Sequence, residues 1–290
     1  MRPETLLTIY EVRVKDPGSF GFLEAAPDPQ EILGPDLAGL HLEGDFAFIF
    51  FVNDYDLSPF LKLWPALELR QIHRLRYDQW QDGAVMEPLT IGPLKILPLT
   101  DLKVAPSVSY GLEPIYIDPG LAFGYGGHPT TKASLSLLSR LLKPGSLVEP
   151  KLAKALDLGS GTGVLSLAAA RLGVRAVLGV DHSHLAVQCA VNNAKINGLS
   201  DKIRFVRGLA QDYAHEPGEL VLANVPLFVQ MDLLEVGAFS NRDYLIFSGL
   251  LPGEEETFLT ALSQKYPSPT KLVDLTRDDR WVTGLVDFNG

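Results

Sequence analysis

At 290 residues, with 46% hydrophobic and 21% charged residues, the chain has an ordinary globular composition and room for two domains. A formal net charge of −10 argues against a phosphate backbone as partner, and the basic cluster Arg70, Arg74 and Arg76 is offset by Asp78 and Asp82, as on a solvated face. The single cysteine, Cys189, excludes an internal disulfide and a cysteine zinc cluster, and apolar runs such as Phe46 to Val52 fall far short of the roughly 20 residues of a membrane helix. Without a basic-then-apolar leader, a reduced cytoplasmic protein with no membrane or nucleic-acid partner is expected.

In chain order, Leu6 to Val14 and Asp45 to Val52 are β-rich runs, while Ser58 to Leu63 and Leu67 to Leu75 carry leucines at helix-like spacing. These predict a small α/β domain over residues 1–77. Proline and glycine recur from Gly83 to Gly111, which suits a linker over 78–111 with one strand, Leu94 to Leu97. From Leu112 the pattern becomes strand and helix in alternation. Strands are expected at Ile115–Ile117, Ala155–Leu158, Ala176–Val180, Ile203–Val206, Leu220–Ala223, Tyr244–Phe247, Lys271–Leu275 and Trp281–Val286. Helices are expected at Thr130–Leu142, Val164–Leu172 and Leu185–Asn197, with Pro129 at the first turn of one and Gly198 closing another. Such alternation predicts a doubly wound, mostly parallel sheet over 112–290, with the last two strands as an antiparallel hairpin at its edge.

The candidate site starts with Asp157-Leu158-Gly159-Ser160-Gly161-Thr162-Gly163, between the first strand of that alternation and its helix. Ligands of open α/β sheets bind outside the carboxyl ends of the strands, and glycines there let the backbone turn and approach a ligand without a Cβ in the way. The dinucleotide pattern G-x-G-x-x-G breaks, because its third glycine falls on Val164. Asp157 is placed to hold the ammonium of a methionine moiety, and Asp181, at the end of the next strand, to accept both ribose hydroxyls. A nicotinamide site uses a similarly placed acid, so Asp181 alone does not discriminate. With both acids present, the loop reads as an S-adenosylmethionine pocket that includes Gly159, Gly161 and Gly163. Asp181-His182-Ser183-His184 lacks a third convergent ligand, so no metal site is expected.

The segment Asp118-Pro-Gly-Leu-Ala-Phe-Gly-Tyr-Gly-Gly-His-Pro-Thr-Thr131 resembles a signature of the PrmA family, methyltransferases of a protein of the large ribosomal subunit. The resemblance continues through the glycine loop, Asp181, Asn192-Asn193-Ala194, Asn197-Gly198 and Leu222-Ala223-Asn224. It implies a seven-stranded class I methyltransferase (Rossmann-like) domain preceded by a substrate-recognition domain. The family's cofactor contacts map onto Thr131, Gly159, Asp181 and Asn224. The implied activity is S-adenosylmethionine-dependent N-methylation of lysine or N-terminal amines. Asn224, just after the strand Leu220–Ala223, is expected to orient the acceptor or the cofactor.

Two stretches depart from the family pattern. Tyr125 and Gly127 stand where it has threonines, and Val225-Pro226 follow Asn224 where it has Ile-Leu. Two alternatives therefore stay open: a lysine of a non-ribosomal protein, such as an electron-transfer flavoprotein subunit, as acceptor, and a non-enzymatic cofactor-binding module. His128 is read either as a substrate contact or as a brace for its loop.

Overall fold

The fold follows from a computed structural model that describes residues 5–15, 32–34, 36–43, 46–76, 88–99, 112–118, 120, 124, 126–142, 152–267, 270–277 and 280–290. Its contacts divide the chain into two units, Met1–Met86 and Glu87–Gly290.

In the first unit, strands β1 (Leu6–Val14), β2 (Leu37–Glu43), β3 (Phe46–Val52) and β4 (Leu67–Arg76) form a sheet in the order β2-β3-β1-β4, with every neighbour antiparallel. The short helix α1 (Ser58–Leu63) contributes Phe60 to a core of Tyr10, Val12, Ile49, Phe51 and Leu57. Leu67 to Leu75, expected as a helix, is strand β4. Opposite β1, Glu11 pairs with Gln71 and Val12 with Leu69, so Arg70 is an extra residue in the ladder. This bulge interrupts strict alternation between Leu69 and Ile72; with Leu75 on the opposite face of the regular ladder that follows, the apolar residues at 69, 72 and 75 imitate a helix's spacing.

The second unit begins earlier than the expected domain start at 112. Strands β5 (Leu89–Ile91) and β6 (Leu94–Pro98) form a hairpin, and β6 runs parallel to β7 (Glu113–Ile117). Rather than lying in a linker with little packing, Leu94 and Ile96 are buried in the main core with Ile115 and Ile117. Gly92 makes the hairpin turn at φ +55, and a Cβ there would collide with Ser139, so this turn sits directly on a helix. Residues 78–87 and 100–111 of the expected linker, with Asp78 and Asp82, lie outside the described residues.

The central sheet has seven strands: β8 (Lys154–Leu158), β9 (Ala176–Asp181), β10 (Ile203–Arg207), β11 (Leu220–Asn224), β12 (Tyr244–Leu250), β13 (Lys271–Arg277) and β14 (Val282–Asp287). They lie in the order β10-β9-β8-β11-β12-β14-β13; the first five are parallel, and β14 is antiparallel to both neighbours. The expected terminal hairpin forms, with β14 inserted against β12. Helices α2 (Pro129–Leu141), α3 (Val164–Arg171) and α4 (His184–Ile196) share one core with β5–β7. Helices α5 (Leu227–Glu235) and α6 (Glu254–Lys265), not anticipated from sequence, cover the other face with Leu233, Leu234, Phe258 and Leu262. Helix α3 reads Val-Leu-Ser-Leu-Ala-Ala-Ala along its buried length because it is enclosed between sheet and helices, so no polar face is needed. The topology is the class I methyltransferase arrangement. Among the described residues no helix is long and apolar enough to cross a membrane.

Candidate cofactor and acceptor site

The site is assembled where β8, β9, β11 and β12 end. After β8, the amides of Gly159 and Ser160 both donate to the Val180 carbonyl of β9, at 2.8 and 2.9 Å, and the Gly163 amide donates to the Ser160 carbonyl at 2.8 Å. Gly159, Gly161 and Gly163 all have positive φ, of 81°, 54° and 79°. Side chains are excluded as well as strained there. A Cβ on Gly159 would stand 2.4 Å from Val225 Cγ1, and one on Gly163 would stand 2.6 Å from the Phe205 ring. Gly163→Ala is therefore expected to lower the unfolding free energy by about 2 kcal/mol, from the left-handed backbone plus overpacking. Urea denaturation measures this; an unchanged midpoint would refute it.

Asp181 ties two loops together. Its Oδ2 accepts from the Gly161 amide at 2.8 Å and its Oδ1 from the Ser183 amide at 2.9 Å. Ser183 in turn caps α4, accepting from the Ala186 amide. His182 lies 3.6 Å from the same carboxylate. Among the described residues no three His, Cys, Asp or Glu side chains gather as a metal site requires.

Asp157 is buried inside the loop, and Oδ2 accepts from the Ser166 amide at 3.1 Å and from Ser166 Oγ at 2.6 Å. Ser166 is the third residue of α3, whose capping position is Gly163 and has no side chain to offer. The carboxylate of the preceding strand thus satisfies a helix-end donor that would otherwise be orphaned. Burial pushes Asp157 up to about 7, against the Ser166 hydrogen bonds and with a smaller contribution from the Asp181 charge. Asp157 Oδ1 and Ser160 Oγ are buried without a hydrogen-bond partner among the described residues. Two orphaned polar atoms in a side-chain-free cradle fit a polar ligand, and the amino-acid end of S-adenosylmethionine supplies such groups.

The segment leading into α2 is fastened to the same loop. Thr162 Oγ1 donates to the Gly124 carbonyl. The fully buried Asn193 accepts from the Asp118 amide at 2.9 Å and donates to the carbonyls of Asp118 and Thr162, both at 3.0 Å. Asn197 pairs with both backbone groups of Tyr116 in the same way. His128 caps α2: its Nδ1 accepts from the Thr130 amide at 3.3 Å, and the ring meets Trp281 edge-on. That geometry is what the brace reading expects. Gly127 is half-buried, and Tyr125 lies outside the described residues.

Thr131 is buried in the first turn of α2, and half-buried Asn224 ends β11 with Nδ2 3.5 Å from Thr131 Oγ1. Val225, the next residue, touches Gly159, which brings the Asn224–Thr131 pair to the glycine loop. Asp157, Asp181 and Asn224 thus lie at the ends of β8, β9 and β11, Gly159, Gly161 and Gly163 in the loop after β8, and Thr131 in the first turn of α2. The residues sequence reasoning gave no role are Thr162, Ser166, Asn193 and Gln230. The available signal for Gln230 is an amide in the otherwise apolar run Leu227-Phe-Val-Gln-Met. A cavity of about 300 Å³ at the opposite ends of β8–β10, lined by exposed Lys154, Lys202, Arg204 and Glu216, is not part of this arrangement.

The family model described as ribosomal protein L11 methyltransferase (PrmA) matches residues 71–286. A protein named ribosomal protein L11 methyltransferase from Pelotomaculum thermopropionicum is 34% identical over 170 residues, covering 58% of this chain and 52% of that protein. One of the same name from Streptococcus equi subsp. zooepidemicus is 32% identical over 186 residues, covering 61% and 54%. The chain spans about half the length of the curated relatives it matches. A crystal structure of a ribosomal protein L11 methylase from Lactobacillus delbrueckii subsp. bulgaricus is 27% identical with a TM-score of 0.57, over 68% of this chain and 96% of that one.

Proposed function

The chain belongs to the PrmA family of ribosomal protein L11 methyltransferases, and on that premise we propose that it transfers methyl groups from S-adenosylmethionine to lysine or N-terminal amines of ribosomal protein L11. The observation that carries this reading is the meeting, across Val225 and Gly159, of the glycine loop held by Asp181 with the Asn224–Thr131 pair. The first unit, 1–86, is proposed as the substrate-recognition domain.

When bound, S-adenosylmethionine supplies a sulfonium-activated methyl group. The chain's own residues bind, orient and desolvate. Asp181 has lone pairs left to accept ribose hydroxyls, while the loop around Gly159, Gly161 and Gly163 and the orphaned oxygens of Asp157 and Ser160 serve the methionine end. An acceptor lysine has an ordinary pKa of about 10.4 and must lose a proton before it can react. A pocket that excludes water lowers that pKa. Because Asn224 Nδ2 is directed at Thr131, Oδ1 is left to accept a hydrogen bond from the neutral amine, fixing its lone pair in line. A carboxylate there would instead favour the charged, unreactive form.

Incubation with methyl-labelled S-adenosylmethionine and a lysate of the source organism is expected to label a band at the size of L11. Label on another protein of the lysate overturns the acceptor, and no label anywhere overturns the enzyme. Asn224→Ala is expected to lower turnover at least about tenfold, as for loss of one positioning hydrogen bond. Unchanged turnover would remove Asn224 from the mechanism.

A further inference from the structure

Gln230 lies on α5 with its side chain fully buried. Its Nε2 donates to the Ala223 carbonyl at 2.7 Å and the Ser248 carbonyl at 3.3 Å, and it reaches the Val225 carbonyl at 3.5 Å. Those carbonyls belong to the end of β11, the turn after Asn224, and the end of β12. With three acceptors on one side, only the NH2 end of the amide can face them, so its orientation is fixed. Gln230 Oε1 is then buried with no hydrogen-bond partner among the described residues. Between Leu227, Val229, Met231 and Leu233, an apolar side chain would fill the position without that cost.

The contacts lead to both members of the Asn224–Thr131 pair. The Val225 amide donates to the Ser248 carbonyl at 3.1 Å, and Ser248 Oγ contacts Thr283 and reaches the Thr130 carbonyl at 3.4 Å, next to Thr131. Gly249, at φ +86 where β12 leaves its register with β14, lies so close that a Cβ would stand 2.8 Å from the Val225 carbonyl oxygen. The turn Asn224-Val225-Pro226 is thus held from the strand side by Gly249 and from the helix side by one amide.

We propose that Gln230 is a positioning residue for methyl transfer: its side-chain amide holds the Asn224–Pro226 turn against β12 and thereby sets the direction of the Asn224 side chain toward the acceptor amine. The inference rests on the acceptor-side role given to Asn224 above. Gln230 hydrogen-bonds the turn and not the loop Asp157–Gly163 among the described residues, so its loss acts on turnover more than on cofactor binding.

Two variants of the full chain test it. Gln230→Met keeps the volume and removes the donors; kcat is expected to fall about tenfold, more than any change in the cofactor KM, with a cooperative thermal transition retained. Gln230→Glu presents a carboxylate to three carbonyls and is expected to be inactive at pH 8. On acidification its carboxyl gains an O–H donor, so its kcat relative to wild type at the same pH recovers. A Met variant that turns over within about twofold of wild type overturns the proposal, as does a Glu variant whose relative kcat is flat with pH. Backbone amide exchange of Asn224, Val225 and Leu227, which needs no acceptor, is expected to quicken in Gln230→Met. If wild type labels no protein, the function reading fails while this exchange still decides whether Gln230 holds the turn; unchanged exchange overturns the inference.

Discussion

Asp181→Asn is expected to weaken S-adenosylmethionine binding about 100-fold, close to 2.7 kcal/mol by the usual conversion. Both carboxylate oxygens already accept backbone amides, from Gly161 and from Ser183. The substitution makes one of those acceptors an NH2, so one half-buried amide faces another donor. Either Gly161 leaves its place, which opens the cradle, or Ser183 does, which loosens the cap of α4. The ribose hydroxyls would in addition lose a charged acceptor for a neutral one. Isothermal titration of the purified chain measures the change. Binding within about threefold of wild type would show that Asp181 serves only the loops, because loss of a charge-assisted ribose bond alone exceeds that factor.

How far the sequence could anticipate this site depends on which forces were local. The glycine loop and Asp181 were legible because each residue type answers to its own backbone: positive φ at Gly159, Gly161 and Gly163, and a strand end at Asp181. The alternation of strands and helices after residue 112 was legible for the same reason, since burial on both faces gives continuous apolar runs such as Leu220–Ala223. What could not be read was set by distant partners. β14 takes its place between β12 and β13 through pairings such as Ile246 with Leu285. Leu67–Leu75 looked helical because a bulge against Glu11 and Val12 changes its period. Residues 88–98 read as a linker from proline and glycine content, yet Leu94 and Ile96 meet a core assembled much later in the chain. Gln230 looked like any helix residue until the carbonyls of β11 and β12 surrounded it.

Asp157 shows the same division within one side chain. The sequence pattern assigns its charge to a ligand, whereas the structure gives half of its carboxylate to the first turn of α3 and leaves the other oxygen orphaned in the interior. Burial raises its folded-state pKa to about 7, well above the ordinary carboxylate range. A raised folded pKa means that the neutral form is favoured by folding, so the stabilisation is fully present below about pH 4 and is lost as pH rises through about 7. The size of this loss is on the order of 4 kcal/mol at 1.36 kcal/mol per pKa unit.

Without cofactor, the unfolding free energy of wild type relative to Asp157→Asn is therefore expected to fall by that order between pH 4 and pH 8. Urea titrations at fixed pH steps measure it, and parallel curves for the two proteins would refute it. An ammonium brought near Oδ1 would favour the ionised carboxylate and lower its pKa again. Binding of S-adenosylmethionine near pH 7 should then release protons, seen as a dependence of the binding heat on the ionisation enthalpy of the buffer. Asp157→Asn should lose that dependence. Protons released equally by both proteins would place the ammonium elsewhere and leave Asp157 as the cap of α3 alone.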